Sequence, residues 1–166
     1  QFYNNFQIIS TALSRSAALA AVATSAKTVA IFSPETLQVV RSFRIPKSPN
    51  QIIFDREESF VVVADRAGVV RKYAVDQANE KKKDDKDDDE DETCFPGEFA
   101  VSVISMALSI DISPCGSFLL VTDRDEKLRV YRYPQTFVLE AVGFGHKEYV
   151  ASVATFEEAG EQRAVT

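Results

Sequence analysis

The sequence predicts an all-β fold, and three observations support this prediction. Short β-branched runs alternate with polar, turn-prone residues along most of the 166 residues. Three segments align with one another without gaps, and each has the pattern of two short strands joined by a polar turn. No window has a sustained 3.6-residue apolar period, so essentially no helix is expected.

The three aligned segments, Val22–Phe32, Val63–Tyr73 and Val121–Tyr131, are predicted β-hairpins at a regular spacing. The interval between their aromatic last residues is nearly the same in both cases, once segment 79–93 is set aside from the second one. Both intervals fit the repeat of about 40–45 residues that is typical of WD-type β-propeller blades. The sequence therefore predicts that residues 1–166 form a partial WD-repeat β-propeller, with about three blades of a larger ring.

The remaining strands of each blade are predicted on either side of these hairpins. Outer-strand candidates follow the hairpins at Leu37–Phe43 and Thr136–Val142. Inner-strand candidates precede the hairpins at Gln51–Asp55, Ala107–Ser113 and Val150–Phe156. Polar tetrapeptides at 55–58 and 113–116 are predicted turns between first and second strands. A propeller needs roughly four to eight blades, so we expect the chain to be part of a longer protein.

The acidic charge is concentrated in one segment. Residues 80–92 contain nine acids and four lysines, so this run carries −5 of the formal net charge of −6. The remaining 15 basic and 16 acidic residues do not by their number indicate a nucleic-acid-binding protein. Because consecutive charged residues repel one another and remain hydrated, segment 79–93 is predicted to be a disordered acidic loop inserted between the third and fourth strands of one blade. The alternative is that it shields a basic surface of a partner.

His146 is the only histidine, so any histidine-based catalytic arrangement would have to use it. It follows Gly145, and in WD repeats such a Gly-His pair stands in the loop that enters a blade. There the imidazole bonds to a Ser or Thr and an Asp within the blade, and Thr166 is a candidate for that region. A structural role is therefore predicted for His146, and no catalytic residue is predicted.

Cofactor and metal sites are not predicted either. The chain has no phosphate-binding or dinucleotide-binding glycine pattern. Its two cysteines, Cys94 and Cys115, are far apart in the sequence and form no CxxC pair, which argues against a zinc site. Isolated thiols fit a reducing compartment, and we expect the nucleus, with the cytoplasm as the alternative. The longest apolar run, Ala17–Ala23, is too short to cross a bilayer, so no membrane partner is expected.

The third hairpin has an unusual turn. Most propeller turns at this place contain a small Asp-Gly pair, because glycine adopts positive φ at little cost. Here Asp125-Glu126-Lys127 stands in its place, within the charged stretch Asp123–Val130. This pattern leaves two interpretations open: a binding site for a partner, or charge that serves solubility.

Residues Ser105–Val150 resemble the non-catalytic WD-repeat subunit of the tRNA (guanine-7) methyltransferase complex. The matching motifs are a Ser-Met, a Ser-Pro-x-Gly turn, the string Asp-Arg-Asp-Glu-Lys-x-Arg-Val, a Tyr-Pro and a Gly-His-x-Glu-Tyr-Val. The charged string at Asp123–Val130 is much more specific than a generic WD repeat. The close match covers less than a third of the chain, and the first hundred residues match only in repeat period.

The resemblance implies a scaffold without chemistry of its own. A separate catalytic subunit would bind the methyl donor and tRNA and form a heterodimer with the propeller. The propeller would steady the active conformation of that subunit and help orient the tRNA, so tRNA would be contacted mainly through the complex. Basic residues of the charged hairpin would pair with acids of that subunit: Arg129 first, Lys127 second, and Arg124 as a third candidate. Structural roles are expected for Asp123 and for Tyr131, the aromatic strand end of a chain without tryptophan. Arg124 could equally be a structural partner of Asp123 or Asp125. The rival hypotheses are a WD-repeat adaptor of another assembly and an enzyme.

Overall fold

The computed structural model describes residues 6–76 and 94–166, and within these ranges every regular element is a β-strand. The strands form three four-stranded antiparallel sheets and one two-stranded sheet. The prediction of a partial WD-repeat β-propeller with about three blades is therefore confirmed. The segment 79–93, predicted to be a disordered acidic insertion, lies outside the described residues.

Each sheet is one blade, with its strands in chain order. Blade 1 consists of β1 (Ile8–Leu13), β2 (Ala20–Thr24), β3 (Thr28–Phe32) and β4 (Val39–Arg44). Blade 2 consists of β5 (Pro49–Phe54), β6 (Phe60–Asp65), β7 (Val69–Ala74) and β8 (Glu98–Ser102). Blade 3 consists of β9 (Ala107–Ile112), β10 (Phe118–Asp123), β11 (Leu128–Arg132) and β12 (Leu139–Gly143). The last pair is β13 (Ala154–Glu158) with β14 (Glu161–Val165).

Apolar side chains hold neighbouring blades together in two separate cores. The first core lies between blades 1 and 2, where the rings of Phe43 and Tyr73 stack with centroids 5.0 Å apart. The second lies between blades 2 and 3 and includes Val62, Ala64 and Ile110. Blade 2 is covered on both faces, which explains why β6 reads as a continuous apolar run and not as an alternating strand.

Polar links between inner strands orient the blades in the same direction. Ile52 N donates to Ser10 Oγ at 3.2 Å between blades 2 and 1, and Ile110 N donates to Gln51 Oε1 at 2.7 Å between blades 3 and 2. The turns between second and third strands therefore all lie at one end of the blades. We call this end the hairpin face, formed by turns 25–27, 66–68 and 124–127 and the loops beside them, and the other end the opposite face.

The structure corrects the starts of four predicted strands. The inner strand predicted from Gln51 begins two residues earlier, at Pro49. The strand predicted at Val150–Phe156 begins only at Ala154, because Val150 N and Val153 N bond to Asp123 O (3.3 Å) and Ser109 Oγ (3.2 Å) of blade 3. The outer strand predicted from Leu37 begins at Val39, since Leu37 closes a turn by donating to Ser33 O at 2.8 Å. The strand predicted from Thr136 likewise begins later, at Leu139.

Candidate functional site at the third hairpin turn

A buried aspartate organises the turn between β10 and β11. Asp123 is fully buried, and its Oδ1 accepts hydrogen bonds from the backbone N–H groups of Asp125 (2.9 Å) and Lys127 (3.1 Å). Its Oδ2 pairs with Arg129 Nη1. One carboxylate thus satisfies two donors of the turn and a guanidinium, which fixes the turn on the sheet. We call this arrangement the Asp–Arg clip.

Blade 2 contains the same clip. Asp65 Oδ1 accepts from the N–H groups of Ala67 (2.8 Å) and Val69 (3.0 Å), and Asp65 Oδ2 lies 2.9 Å from Arg71 Nη1. The aligned hairpins contain a sequence pattern for this clip, because Asp and Arg recur in them at the same spacing. The clip was nevertheless not part of the sequence prediction. Its recurrence in a blade without the charged turn indicates that the clip belongs to the architecture.

The clip changes the interpretation of Arg129. Its side chain is 13% exposed and is the cation that pairs with Asp123, a partner that the sequence analysis considered for Arg124. Arg124 is exposed instead, while its backbone N–H donates to Met106 O at 3.1 Å. Lys127 Nζ reaches Asp125 O at 2.8 Å on the surface of the turn. Of these cations, Arg124 is exposed and Lys127 is partly exposed, with its ammonium group bonded to the backbone of its own turn.

The third residue of each hairpin turn adopts positive φ: +61° at Lys27, +83° at Gly68 and +66° at Glu126. Such a conformation costs a residue with a Cβ about 1–2 kcal/mol. At Gly68 it also brings the backbone close to a neighbour, since an added Cβ would lie 2.6 Å from Val103 O and closer still to Ser105 O. Blade 2 therefore requires glycine, whereas blade 3 accommodates a charged side chain.

The two other predicted structural residues lie near the clip or near the chain end. His146 Nε2 is 2.9 Å from Thr166 Oγ1, the contact for which Thr166 was a candidate. Tyr131 is half-buried and packs against the second core. The pKa of the Tyr131 hydroxyl is raised, chiefly because the group is partly buried. The charge of Arg129 opposes this shift, and the charge of Asp123 adds to it. Both contacts are compatible with the predicted structural roles, which stay predictions.

Clustered metal-ligating side chains and pockets lined by several titratable groups are features of enzyme sites. Within residues 6–76 and 94–166, no group of three or more His, Cys, Asp or Glu side chains is arranged to hold a metal ion. An open groove of about 490 Å³ lies between β8 and the β11–β12 connection, and Glu98 is the single carboxylate in its lining. In the same ranges, no helix has the length and apolar character needed to cross a membrane.

Comparison with known proteins assigns these features to a family. Residues 71–162 match the family model of the tRNA methyltransferase TRM82 WD40 domain. A tRNA (guanine-N(7)-)-methyltransferase non-catalytic subunit of Caenorhabditis elegans is 38% identical over 110 residues, which are 66% of this chain and 24% of that protein. The corresponding TRM82 subunit of Candida glabrata is 33% identical over 146 residues, 81% of this chain and 32% of that protein.

These relatives are much longer than the chain, which spans about a quarter to a third of their length. Among solved structures, a chain of the crystal structure of the mitotic checkpoint complex superposes with a TM-score of 0.72. The superposition covers 93% of this chain and 42% of that chain at 14% sequence identity, so it bears on the fold only.

Proposed function

Because this chain belongs to the family of the tRNA methyltransferase TRM82 WD40 domain, we propose that the protein is a non-catalytic scaffold subunit of a tRNA 7-methylguanosine methyltransferase. The observation that carries the proposal is the match over residues 71–162, which contains the whole charged hairpin. Relatives in two organisms are named as non-catalytic subunits of such an enzyme. The protein would form a heterodimer with the catalytic subunit, in the nucleus or the cytoplasm, and use no cofactor of its own.

The third hairpin turn is the docking site in this proposal. Arg124 and Lys127 lie on a turn whose backbone is held by Asp123, so little backbone freedom is lost when a partner binds. The guanidinium of Arg124 can engage a carboxylate through two parallel hydrogen bonds, and Lys127 adds a point charge. Arg129 serves as a positioning residue, since its guanidinium is paired with the buried Asp123 carboxylate.

Exposed apolar side chains flank this turn and support a protein partner. Ile104 is 95% exposed in the loop whose Met106 O accepts from Arg124 N. Tyr149 is 61% exposed beside Val150, whose N–H donates to Asp123 O. Protein interfaces derive most of their binding energy from a few apolar or aromatic anchors with charged residues around them. The turn and its two neighbouring loops have this composition.

The test is co-purification of the full-length protein with the catalytic subunit. We expect R124E/K127E to reduce complex formation by at least about tenfold, because each substitution replaces an attraction to partner carboxylates with repulsion. The control is R15E/R132E, which makes the same charge change on exposed residues of the opposite face. Arg132 forms an exposed ion pair with Glu140, and R132E replaces it with a like-charge pair whose effect on stability is small because solvent screens both side chains.

Three outcomes separate the hypotheses. Loss of the complex only with R124E/K127E supports the docking site. Equal complex formation by both variants contradicts the site while leaving the scaffold role intact. If the wild-type protein does not co-purify with the methyltransferase subunit, the scaffold proposal is wrong and the adaptor hypothesis replaces it.

A further inference from the structure

An open groove runs along the outer rim of the molecule between blades 2 and 3. One wall is the edge strand β8, and the other consists of Tyr131 and the β11–β12 connection at residues 134–137. Thr136 joins the two walls, because its Oγ1 donates to Ala100 O at 2.6 Å. The groove has a volume of about 490 Å³, which lies within the range of about 300–1,000 Å³ that is typical of ligand-binding clefts.

Aromatic side chains form the exposed part of this groove. Phe99 of β8 is 61% exposed, and Phe137 of the facing wall is 84% exposed. Tyr131 is half-buried in the lining, and Pro134 adds a further apolar ring. Exposed apolar side chains that are grouped in this way mark an interaction site.

The edge strand in this groove is poorly suited to pairing with an added β-strand. Ala100 lies between Val101 and Phe99, which both have partners on β7, but it has none itself, as in a β-bulge. The carbonyl of Ala100 already accepts a hydrogen bond from Thr136. A bulge in an edge strand and a carbonyl that is already bonded both oppose the addition of a strand. The groove therefore favours an occupant that does not depend on backbone hydrogen bonds to β8.

A proline-rich segment has the properties that this groove requires. Proline has no backbone N–H group, so a run of prolines does not need the carbonyls of an edge strand. Such segments form a polyproline II helix before they bind, and they dock in grooves lined by aromatic side chains. The five residues of β8 extend over about 16 Å at about 3.3 Å per residue. This length accommodates about five residues of a polyproline II helix, which rises about 3.1 Å per residue.

The charge of the groove specifies one further feature of the ligand. Among the described residues that line it, the one charged side chain is the exposed carboxylate of Glu98, whose Oε1 lies 2.9 Å from Nζ of the buried Lys72. At the same end of the groove, the pKa of the Tyr133 hydroxyl is raised, chiefly by burial and further by the charges of Asp55, Glu98 and Glu57. This end is therefore acidic, and a basic residue of a ligand complements it.

We propose that the groove between blades 2 and 3 binds a proline-rich segment of a partner protein in the polyproline II conformation, with a basic residue of that segment beside Glu98. The groove lies on the outer rim, whereas the docking turn lies on the hairpin face. Both surfaces can therefore be occupied at the same time. The inference goes beyond the scaffold role and does not depend on it.

The experiment measures binding of fluorescein-labelled synthetic peptides to the purified full-length protein by fluorescence anisotropy. The probe is a peptide of prolines and leucines with one arginine, placed at the amino end in one version and at the carboxyl end in the other. We expect F99A and F137A each to weaken binding of the preferred version at least about fivefold, because aromatic anchors dominate such interfaces. The matched control is F144A, which removes a phenylalanine that is 74% exposed and lies outside the groove, and its affinity should equal that of the wild type.

Two further comparisons test the conformation and the charge of the ligand. A peptide in which valine replaces every proline should bind at least about tenfold more weakly, because it favours an extended strand. Glu98→Gln should weaken binding of the arginine peptide about threefold or more, and it should have no effect on a version in which alanine replaces the arginine. All these variants replace exposed side chains, and circular dichroism checks that each one is folded.

Each other result overturns the proposal. If neither version of the proline peptide binds to the wild-type protein, the groove does not recognise proline-rich segments. If the valine peptide binds as tightly as the proline peptide, the groove receives an added strand instead. An equal loss of affinity in F137A and F144A means that the peptide binds outside the groove. The assay contains no catalytic subunit, so its outcome is separate from that of the co-purification test.

Discussion

The hairpin turns of the second and third blades share the same hydrogen bonds and ion pair and differ in the residues between them. Asp65 and Asp123 each bond two backbone N–H groups of their turn and pair with an arginine at the same position of the following strand. Between these fixed points, blade 2 has Arg-Ala-Gly and blade 3 has Arg-Asp-Glu. Since the clip is common to both, it belongs to the fold, and the residues in which the turns differ are the candidates for function.

The largest expected effect on stability comes from adding a Cβ to the third residue of the blade 2 turn, where blade 3 already has one. Gly68→Ala places a Cβ 2.6 Å from Val103 O, and closer to Ser105 O, at a positive φ. We expect the free energy of unfolding to fall by about 3 kcal/mol or more, because two carbonyls at the blade edge must move. Chemical denaturation of the full-length protein measures this loss.

The matched variant is Glu126→Ala, which keeps a Cβ at the equivalent position. Its free energy of unfolding should change by less than about 0.5 kcal/mol, because Glu126 already has the same backbone cost. Equal losses in the two variants would mean that the turns share one packing environment, and the contrast between them would disappear.

Removal of either clip should have similar effects on stability and different effects on binding. Asp65→Ala and Asp123→Ala each leave two turn N–H groups and a partly buried arginine without their carboxylate. We expect each to reduce the free energy of unfolding by about 2–4 kcal/mol. At a temperature where both variants are folded, only Asp123→Ala should weaken co-purification of the catalytic subunit.

That pair of variants sharpens the comparison, because stability and docking are measured on equivalent residues. If Asp65→Ala weakens co-purification as much as Asp123→Ala, the effect follows from general destabilisation, and the third turn has no special role.

The parts of the fold that follow from local pattern were predictable. Hairpins at Val22–Phe32, Val63–Tyr73 and Val121–Tyr131 were found from strand alternation and a regular interval, since blade period is a property of the sequence. Strand starts were less accurate, because Val150 and Val153 bond to blade 3 and not within their own sheet. Tertiary bonds of this kind have no local signature.

The internal order of the candidate site, unlike the hairpin that holds it, could not be predicted. The sequence indicates that the charged hairpin is unusual, and the order Arg129, Lys127, Arg124 for its partner-binding residues stays a prediction. The ion pair of Arg129 with Asp123 was not predicted, because it depends on the burial of Asp123 and on the position of Arg129 on the strand opposite it.

The smallest expected effect concerns Glu126, where the turn of blade 3 departs from that of blade 2. Glu126→Gly relieves the cost of a Cβ at φ +66° and should raise the free energy of unfolding by about 0.5–1 kcal/mol. Differential scanning calorimetry of the full-length protein measures the gain, and Glu126→Ala, which retains the Cβ, should not show it. A decrease with glycine would mean that the Glu126 side chain stabilises the turn. Blade 3 would then keep this residue for its own stability, and the strain of its positive φ could not be attributed to selection for a charged docking surface.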